Sequence, residues 1–148
     1  MARLHRFSFS LLLLLVYAHA PARAQDQALV VIGNGKGVPS EMKLAQLKAT
    51  MKGERLRWPD VSKVVIALLK TTTTIGQSTS KKIYNMSANE LNKYWLALVF
   101  QGKADAPNFF NSEGELAEFV AQTTGAIGVV NQSVASSKTI TIDGKKFL

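Results

Sequence analysis

The chain has 148 residues, with 18 Lys and Arg against 10 Asp and Glu and a formal charge of +8, the size of one domain and not of a multidomain machine. Hydrophobic residues make up 47% and charged residues 19%, with only 4 prolines, a composition that can bury a core and excludes a disordered or collagen-like chain. There is no cysteine, which removes disulfides, cysteine-ligated zinc, iron–sulfur clusters and thiol catalysis.

Arg3, His5 and Arg6 precede a mostly apolar run over 7–18 that contains five consecutive leucines at 11–15. A basic start and an apolar stretch shorter than the roughly 20 residues of a membrane span read as a signal peptide. Two small-x-small sites follow, Ala18-His19-Ala20 and Ala22-Arg23-Ala24; the second is preferred because the first would put Pro21 directly after the cut. The expectation is a signal peptide over 1–24 and an exported, most simply periplasmic, domain over 25–148 with no stable membrane anchor. Loss of Arg3, Arg6 and Arg23 lowers the formal charge to +5, and both histidines, His5 and His19, lie in the same segment. Without His or Cys, the remaining chain lacks the parts of a serine triad, a cysteine–histidine pair and most zinc sites.

Residues 28–32 (ALVVI) form a continuous apolar run of strand length that ends at Gly33-Asn34-Gly35-Lys36-Gly37, which predicts a buried first strand and a turn. After Pro39, Ser40 is placed to cap a helix carrying Leu44, Leu47 and Met51 at helical spacing, with Gly53 as its stop. Trp58-Pro59-Asp60 punctuates the chain before a second apolar strand at 64–69 (VVIALL). Two apolar strands joined by a helix suggest a parallel βαβ unit. A short helix is expected to start near 78–81. Ser87-Ala88-Asn89-Glu90 then opens a longer one with Leu91, Trp95 and Leu98 on one stripe, and Gly102 ends it. Ser112-Glu113-Gly114-Glu115 repeats the capping pattern before Leu116, Phe119 and Val120, and Gly125 closes that segment. Residues 126–130 read as a short strand, and Thr139-Ile140-Thr141-Ile142 alternates with period two before a turn at Asp143-Gly144.

Open α/β sheets bind ligands outside the carboxyl ends of their strands, so the loops at 33–40 and 70–80 are the candidate sites. Between Asp60 and Glu90 there is no acid, while Lys63, Lys70, Lys81 and Lys82 supply positive charge and Thr71, Thr72, Thr73, Thr74, Ser78, Thr79 and Ser80 supply hydroxyls. Donors without acceptors suit an oxyanion. Ser78-Thr79-Ser80-Lys81-Lys82 at an expected helix start stands out, because lysines in a first turn oppose the helix dipole unless an anion is bound there. The glycines of 33–37 lack the third-glycine spacing of a dinucleotide fingerprint, and no Gly-Lys-Ser/Thr forms a P-loop. Glu113, Glu115 and Glu118 fit capping and a solvated helix face. Trp58, Tyr94, Trp95, Phe109 and Phe110 are read as core packing and not as a nucleic-acid stacking surface.

These residues, in this order, resemble the periplasmic binding-protein-like domain of phosphate ABC transporter substrate-binding proteins. The resemblance rests on Leu47, Met51 and Gly53 followed by Trp58-Pro59-Asp60, on Ser78-Thr79-Ser80-Lys81 where the family has Ser-Gly-Thr-Arg, and on Thr124-Gly125-Ala126-Ile127-Gly128. It implies a three-layer α/β single lobe of the type II periplasmic-binding-protein-like fold, with a mixed, mostly parallel sheet. It also implies capture of phosphate or a similar oxyanion without catalysis or cofactor, by Ser78, Thr79, Ser80 and Lys81. A transporter, a sensor or a second binding lobe is the partner it implies, since family members trap the anion between two lobes. The sequence departs at Lys81, which lacks an arginine's bidentate fork, and at Thr79, where a glycine would let the anion approach the backbone. The alternative is a structural or protein-interaction domain derived from a solute-binding lobe.

Overall fold

The computed structural model describes residues 28–134 and 138–148; the expected signal peptide lies outside the described residues. Six strands build one sheet: β1 (Leu29–Gly33), β2 (Glu41–Met42), β3 (Val65–Leu69), β4 (Asn108–Phe110), β5 (Ala126–Asn131) and β6 (Thr139–Ile142), in the order β2-β6-β1-β5-β3-β4. Four α-helices accompany them, α1 (Leu44–Met51), α2 (Thr74–Thr79), α3 (Ala88–Phe100) and α4 (Glu113–Gln122), and a π-helical segment, Ser80–Tyr84, continues α2. Among the described residues no helix is long and apolar enough to cross a membrane.

Strands β3, β4 and β5 run parallel, as do β2 and β6, whereas β1 is antiparallel to both of its neighbours, β5 and β6. The sheet is therefore mixed and mostly parallel, but the parallel unit expected from the first two apolar strands does not form: β5 separates β1 from β3, and the two run in opposite directions. An uninterrupted apolar run reports cover on both faces of a strand and carries no information about its direction. Ser40 does not cap α1 either. Its carbonyl accepts the Thr141 amide at 3.0 Å, drawing 41–42 into the sheet as β2, and Lys43 becomes the N-cap.

Register identifies the layers. Gly128 lies beside Ile32 and Ala67, and a Cβ there would press on the Leu116 side chain of α4. Phe110, beside Leu69, packs against Phe119 of the same helix with ring centroids 5.0 Å apart and the rings tilted by 45°. These residues face α4. Those that alternate with them, Ile66, Leu68, Ile127 and Val129, are equally buried, so the opposite face is covered as well, with α2 packed on β3 and β5 and α1 on the π-helical segment. Leu47, Met51 and Ile83 are fully buried on that side, each contributing about 1.5–3 kcal/mol of transfer free energy.

The carboxyl end of α1 is held by two tyrosines. The Tyr84 hydroxyl donates to the Met51 carbonyl at 2.6 Å and the Tyr94 hydroxyl to the Lys52 carbonyl at 2.8 Å, taking up acceptors that a helix end leaves without intrahelical partners. Trp95 completes an edge-on cluster with both rings, centroids 5.7–6.5 Å apart. The stripe expected on α3 thus packs inward, as the capping boxes at Ser87 and Ser112 also form as read. Phe109 differs from its core assignment and stays partly exposed on the edge strand β4.

Candidate functional site

The reversal of β1 separates the two candidate loops. The loop after β1 folds back against the amino-terminal ends of β3 and β5: Lys36 accepts the Gly125 amide at 3.0 Å, and Asn34 donates to the Val120 and Ala121 carbonyls, both at 2.9 Å. The indole of Trp58 closes the same end, donating to the Gly125 carbonyl at 2.8 Å. The loop after β3 lies at the other end of the sheet.

At that other end the chain leaves β3 at Lys70 and turns through Thr71, Thr72 and Thr73 into α2. The Thr73 hydroxyl accepts the Gly76 amide at 3.0 Å and donates to the Lys70 carbonyl at 2.8 Å, so Thr73 is both the N-cap and the clasp of the turn. Gly76 is required there, since a Cβ would stand 2.2 Å from the Lys70 carbonyl oxygen. Strand β4 ends beside β3, and Asn111 and Ser112 lead into α4, whose cap is Ser112. Between the two helix starts lies a cleft of about 270 Å³ lined by Leu69, Thr73, Thr74, Ile75, Asn111, Ser112 and Glu113. The Glu113 carboxylate accepts the Asn131 amide, which ties the start of α4 to the end of β5 and engages one oxygen of the one acid that lines the cleft.

Ser78, Thr79, Ser80 and Lys81 are elsewhere. The helix expected to start at Ser78 starts at Thr74, so Ser78 and Thr79 form its last turn and Ser80 and Lys81 belong to the π-helical segment. Ser80 is 1% exposed, and its hydroxyl donates to the Met86 carbonyl at 2.8 Å. Lys81 is exposed toward the carboxyl end of the continuous helical segment, where the dipole favours a cation. The charge conflict read from the sequence therefore does not arise. The structure does not bring these four residues to the cleft. The threonines at 71–74, expected as loop hydroxyls, instead supply the cap of α2 through Thr73, a residue type favoured at that position.

Other charges of the chain are set by local caps. Hydrogen bonds from the amide and hydroxyl of Ser87 hold Glu90 below the usual carboxylate range, and those of Ser62, the hydroxyl first, do the same for Asp60. Burial pushes the Tyr84 hydroxyl well above the ordinary tyrosine value. Among the described residues no group of three or more His, Cys, Asp or Glu is placed to hold a metal ion.

No family model matches the sequence, and no curated protein sequence matches it significantly. Solved structures do match. An ABC-type phosphate transport receptor from Vibrio cholerae superposes with a TM-score of 0.64 at 15% identity, over 82% of this chain and 49% of that one. PstS from Borrelia burgdorferi gives 0.60 at 16%, over 80% and 48%. A Clostridium perfringens protein assigned as a phosphate ABC transporter substrate-binding protein, with bound phosphate, gives 0.59 at 14%, over 80% and 46%. The chain spans about half the length of these proteins. Its fold is that of phosphate ABC transporter substrate-binding proteins, the type II periplasmic-binding-protein-like fold, over that half.

Proposed function

We propose that this chain is an exported, periplasmic solute-binding-protein-like domain that captures phosphate or a similar oxyanion reversibly, breaking no bond, at the carboxyl edge of β3. The observation that carries the reading is the cleft between the starts of α2 and α4, at the carboxyl ends of parallel strands, which is where open α/β sheets take ligands. The likeness in fold to proteins described as phosphate receptors supports it. Thr73 satisfies the Gly76 amide, while the amides of Thr74 and Ile75 belong to the helix turn that has no intrahelical acceptors. The Thr74 hydroxyl lines the cleft beside them, and Lys70, Thr71 and Thr72 lie in the turn that leads into it; the Glu113 carboxylate, also in the lining, has one oxygen engaged by the Asn131 amide. Ser80 ties the π-helical segment to the Met86 carbonyl, and in this reading Ser78, Thr79, Ser80 and Lys81 stand outside the anion site. In this reading a second lobe, a transporter or a sensor closes the open side of the cleft.

The test is thermal unfolding of the protein in phosphate, sulfate and chloride at matched ionic strength. A ligand at 100 times its dissociation constant adds about 2.7 kcal/mol. The expected result is a phosphate-selective rise in Tm that disappears in Lys70→Ala/Thr74→Val and persists in Ser80→Ala/Lys81→Ala. Loss in the second variant alone would return the site to 78–81. No selective rise up to millimolar phosphate would favour the second reading, a non-binding interaction domain, which the apolar outer face of α3 independently recommends.

A further inference from the structure

Asn34 is 7% exposed, and its carboxamide is engaged on every side. The nitrogen gives one proton to the Val120 carbonyl and the other to the Ala121 carbonyl, both at 2.9 Å, and the oxygen accepts the Lys36 amide at 2.8 Å. Helix α4 ends at Gln122, so these two carbonyls belong to its last turn, which lacks intrahelical donors. The Asn34 backbone amide donates to the Ala126 carbonyl at 2.9 Å. One side chain thus fastens the loop after β1, the end of α4 and the start of β5. The residue that follows is glycine, and Asn34-Gly35 is the one Asn-Gly pair in the sequence. Without a Cβ, Gly35 leaves its nitrogen open to approach by the preceding carboxamide.

We propose that Asn34 is a self-modification site gated by folding: the unfolded chain loses the Asn34 side-chain nitrogen as ammonia, the native hydrogen bonds suppress that loss, and the product cannot rebuild this corner. The Gly35 nitrogen, its proton taken by solvent base, adds to the side-chain carbonyl carbon of Asn34. The bond from that carbon to the amide nitrogen breaks, and the nitrogen takes up a proton and leaves as ammonia. Water then opens the cyclic imide at either of its carbonyls and returns a proton to the ring nitrogen, giving aspartate or isoaspartate; the net change is amide and water to carboxylate and ammonium. In the folded chain the carboxamide must first release the Val120 and Ala121 carbonyls, so the reaction runs at the unfolded rate multiplied by the fraction of time the corner is open. The product is incompatible with the native arrangement. A carboxylate at 34 has no proton for the two carbonyl oxygens it would face, and it would stand out of water at the negative end of the α4 dipole. Isoaspartate also lengthens the main chain by a methylene just before Lys36, whose carbonyl accepts the Gly125 amide. A chain that folds promptly keeps its amide, and one held unfolded records the delay irreversibly, whatever the threonine cleft binds.

The test is to hold the purified protein at mildly alkaline pH, folded in buffer or unfolded in guanidinium, and to follow the peptide containing Asn34 by mass spectrometry and the refoldable fraction by circular dichroism after dilution. The unfolded wild type should convert Asn34 to aspartate and isoaspartate while its refoldable fraction falls in step. The folded protein should convert at least about tenfold more slowly. Gly35→Ala is the control: a Cβ there meets nothing within 4 Å and the backbone is not left-handed, so the variant should fold as the wild type does. Its added methyl hinders the ring closure, and it should keep its capacity to refold after the same time in denaturant. Asn34→Asp, the product made directly, should melt well below the wild type; if it does not fold at all, the Gly35→Ala comparison still decides. Equal conversion in folded and unfolded protein, deamidated chains that refold with the wild-type Tm, or a Gly35→Ala chain that loses refolding as fast as the wild type would each overturn the proposal.

Discussion

Val61 occupies the left-handed region, with φ of 65°, and is 72% exposed. A tight turn imposes that geometry. The Val61 amide donates to the Trp58 carbonyl at 2.9 Å, the Trp58 amide to the Ser62 carbonyl at 2.8 Å, and Arg57 donates to the Val61 carbonyl at 2.9 Å, while the Trp58 indole fixes the whole turn to Gly125. A left-handed conformation costs an L-residue about 1–2 kcal/mol, and a β-branched one tolerates it worst. Since the side chain is mostly in water, removing it forfeits only about 0.5 kcal/mol of burial. Val61→Asn, which accepts positive φ, should therefore stabilise by about 1 kcal/mol and raise Tm by about 3–6 °C. Val61→Gly should gain less, because glycine adds about 0.5–1 kcal/mol of backbone entropy to the unfolded chain. Val61→Ala keeps the Cβ in the strained position and should gain little. Thermal and urea unfolding followed by far-UV circular dichroism decides the order. If Asn and Gly are no more stable than Ala, the turn does not hold Val61 in the left-handed region and the reasoning fails.

Gly125→Ala should be among the most damaging single-methyl changes. Its Cβ would sit 2.1 Å from the Lys63 carbonyl oxygen at a φ of 76°, and the shift needed to relieve it would disturb the bonds to Lys36, Val65 and Trp58; a loss of about 3–5 kcal/mol in urea unfolding is expected. Tyr84→Phe strands the Met51 carbonyl and should cost about 1–2 kcal/mol near neutral pH. Burial raises the folded-state pKa of Tyr84, so above the unfolded value of about 10 the unfolded chain releases a proton that the folded one keeps. That contribution is complete below pH 10 and is lost as pH rises beyond it. Melting curves of wild type and Tyr84→Phe should converge in alkali; a constant gap from pH 8 to 11.5 would refute the assignment.

Much of the fold was legible because it is written in local patterns. Alternation at 139–142, the two Ser-x-x-Glu boxes and the apolar runs at 29–32 and 65–69 each report an element whose partners hardly matter. Strand direction and order were not legible, because β1 pairs with strands about a hundred residues away and its residues look the same in either orientation. Strand β4 has three residues on an edge and too short a pattern to read. The start of α2 was not legible either. Four consecutive threonines have weak helix propensity and read as loop, whereas the helix begins at the last of them, Thr74, a full turn before the polar cluster at 78–81.

That displacement matters more than its length suggests, because it changes the meaning of the lysines. At a helix start, Lys81 and Lys82 would be locally unfavourable and would ask for an anion; toward the end of the segment that begins at Thr74, the same dipole stabilises them. The proposed anion site accordingly lies at the threonine turn, where the Thr73 hydroxyl caps α2 and the Glu113 carboxylate accepts the Asn131 amide. The reversed β1 does the remaining work by carrying the glycine loop to the far edge, where it seals strand ends with Asn34 and Trp58. One edge of the sheet is thereby closed by hydrogen bonds and flanked by the apolar end of α3, and the opposite edge is left polar and concave.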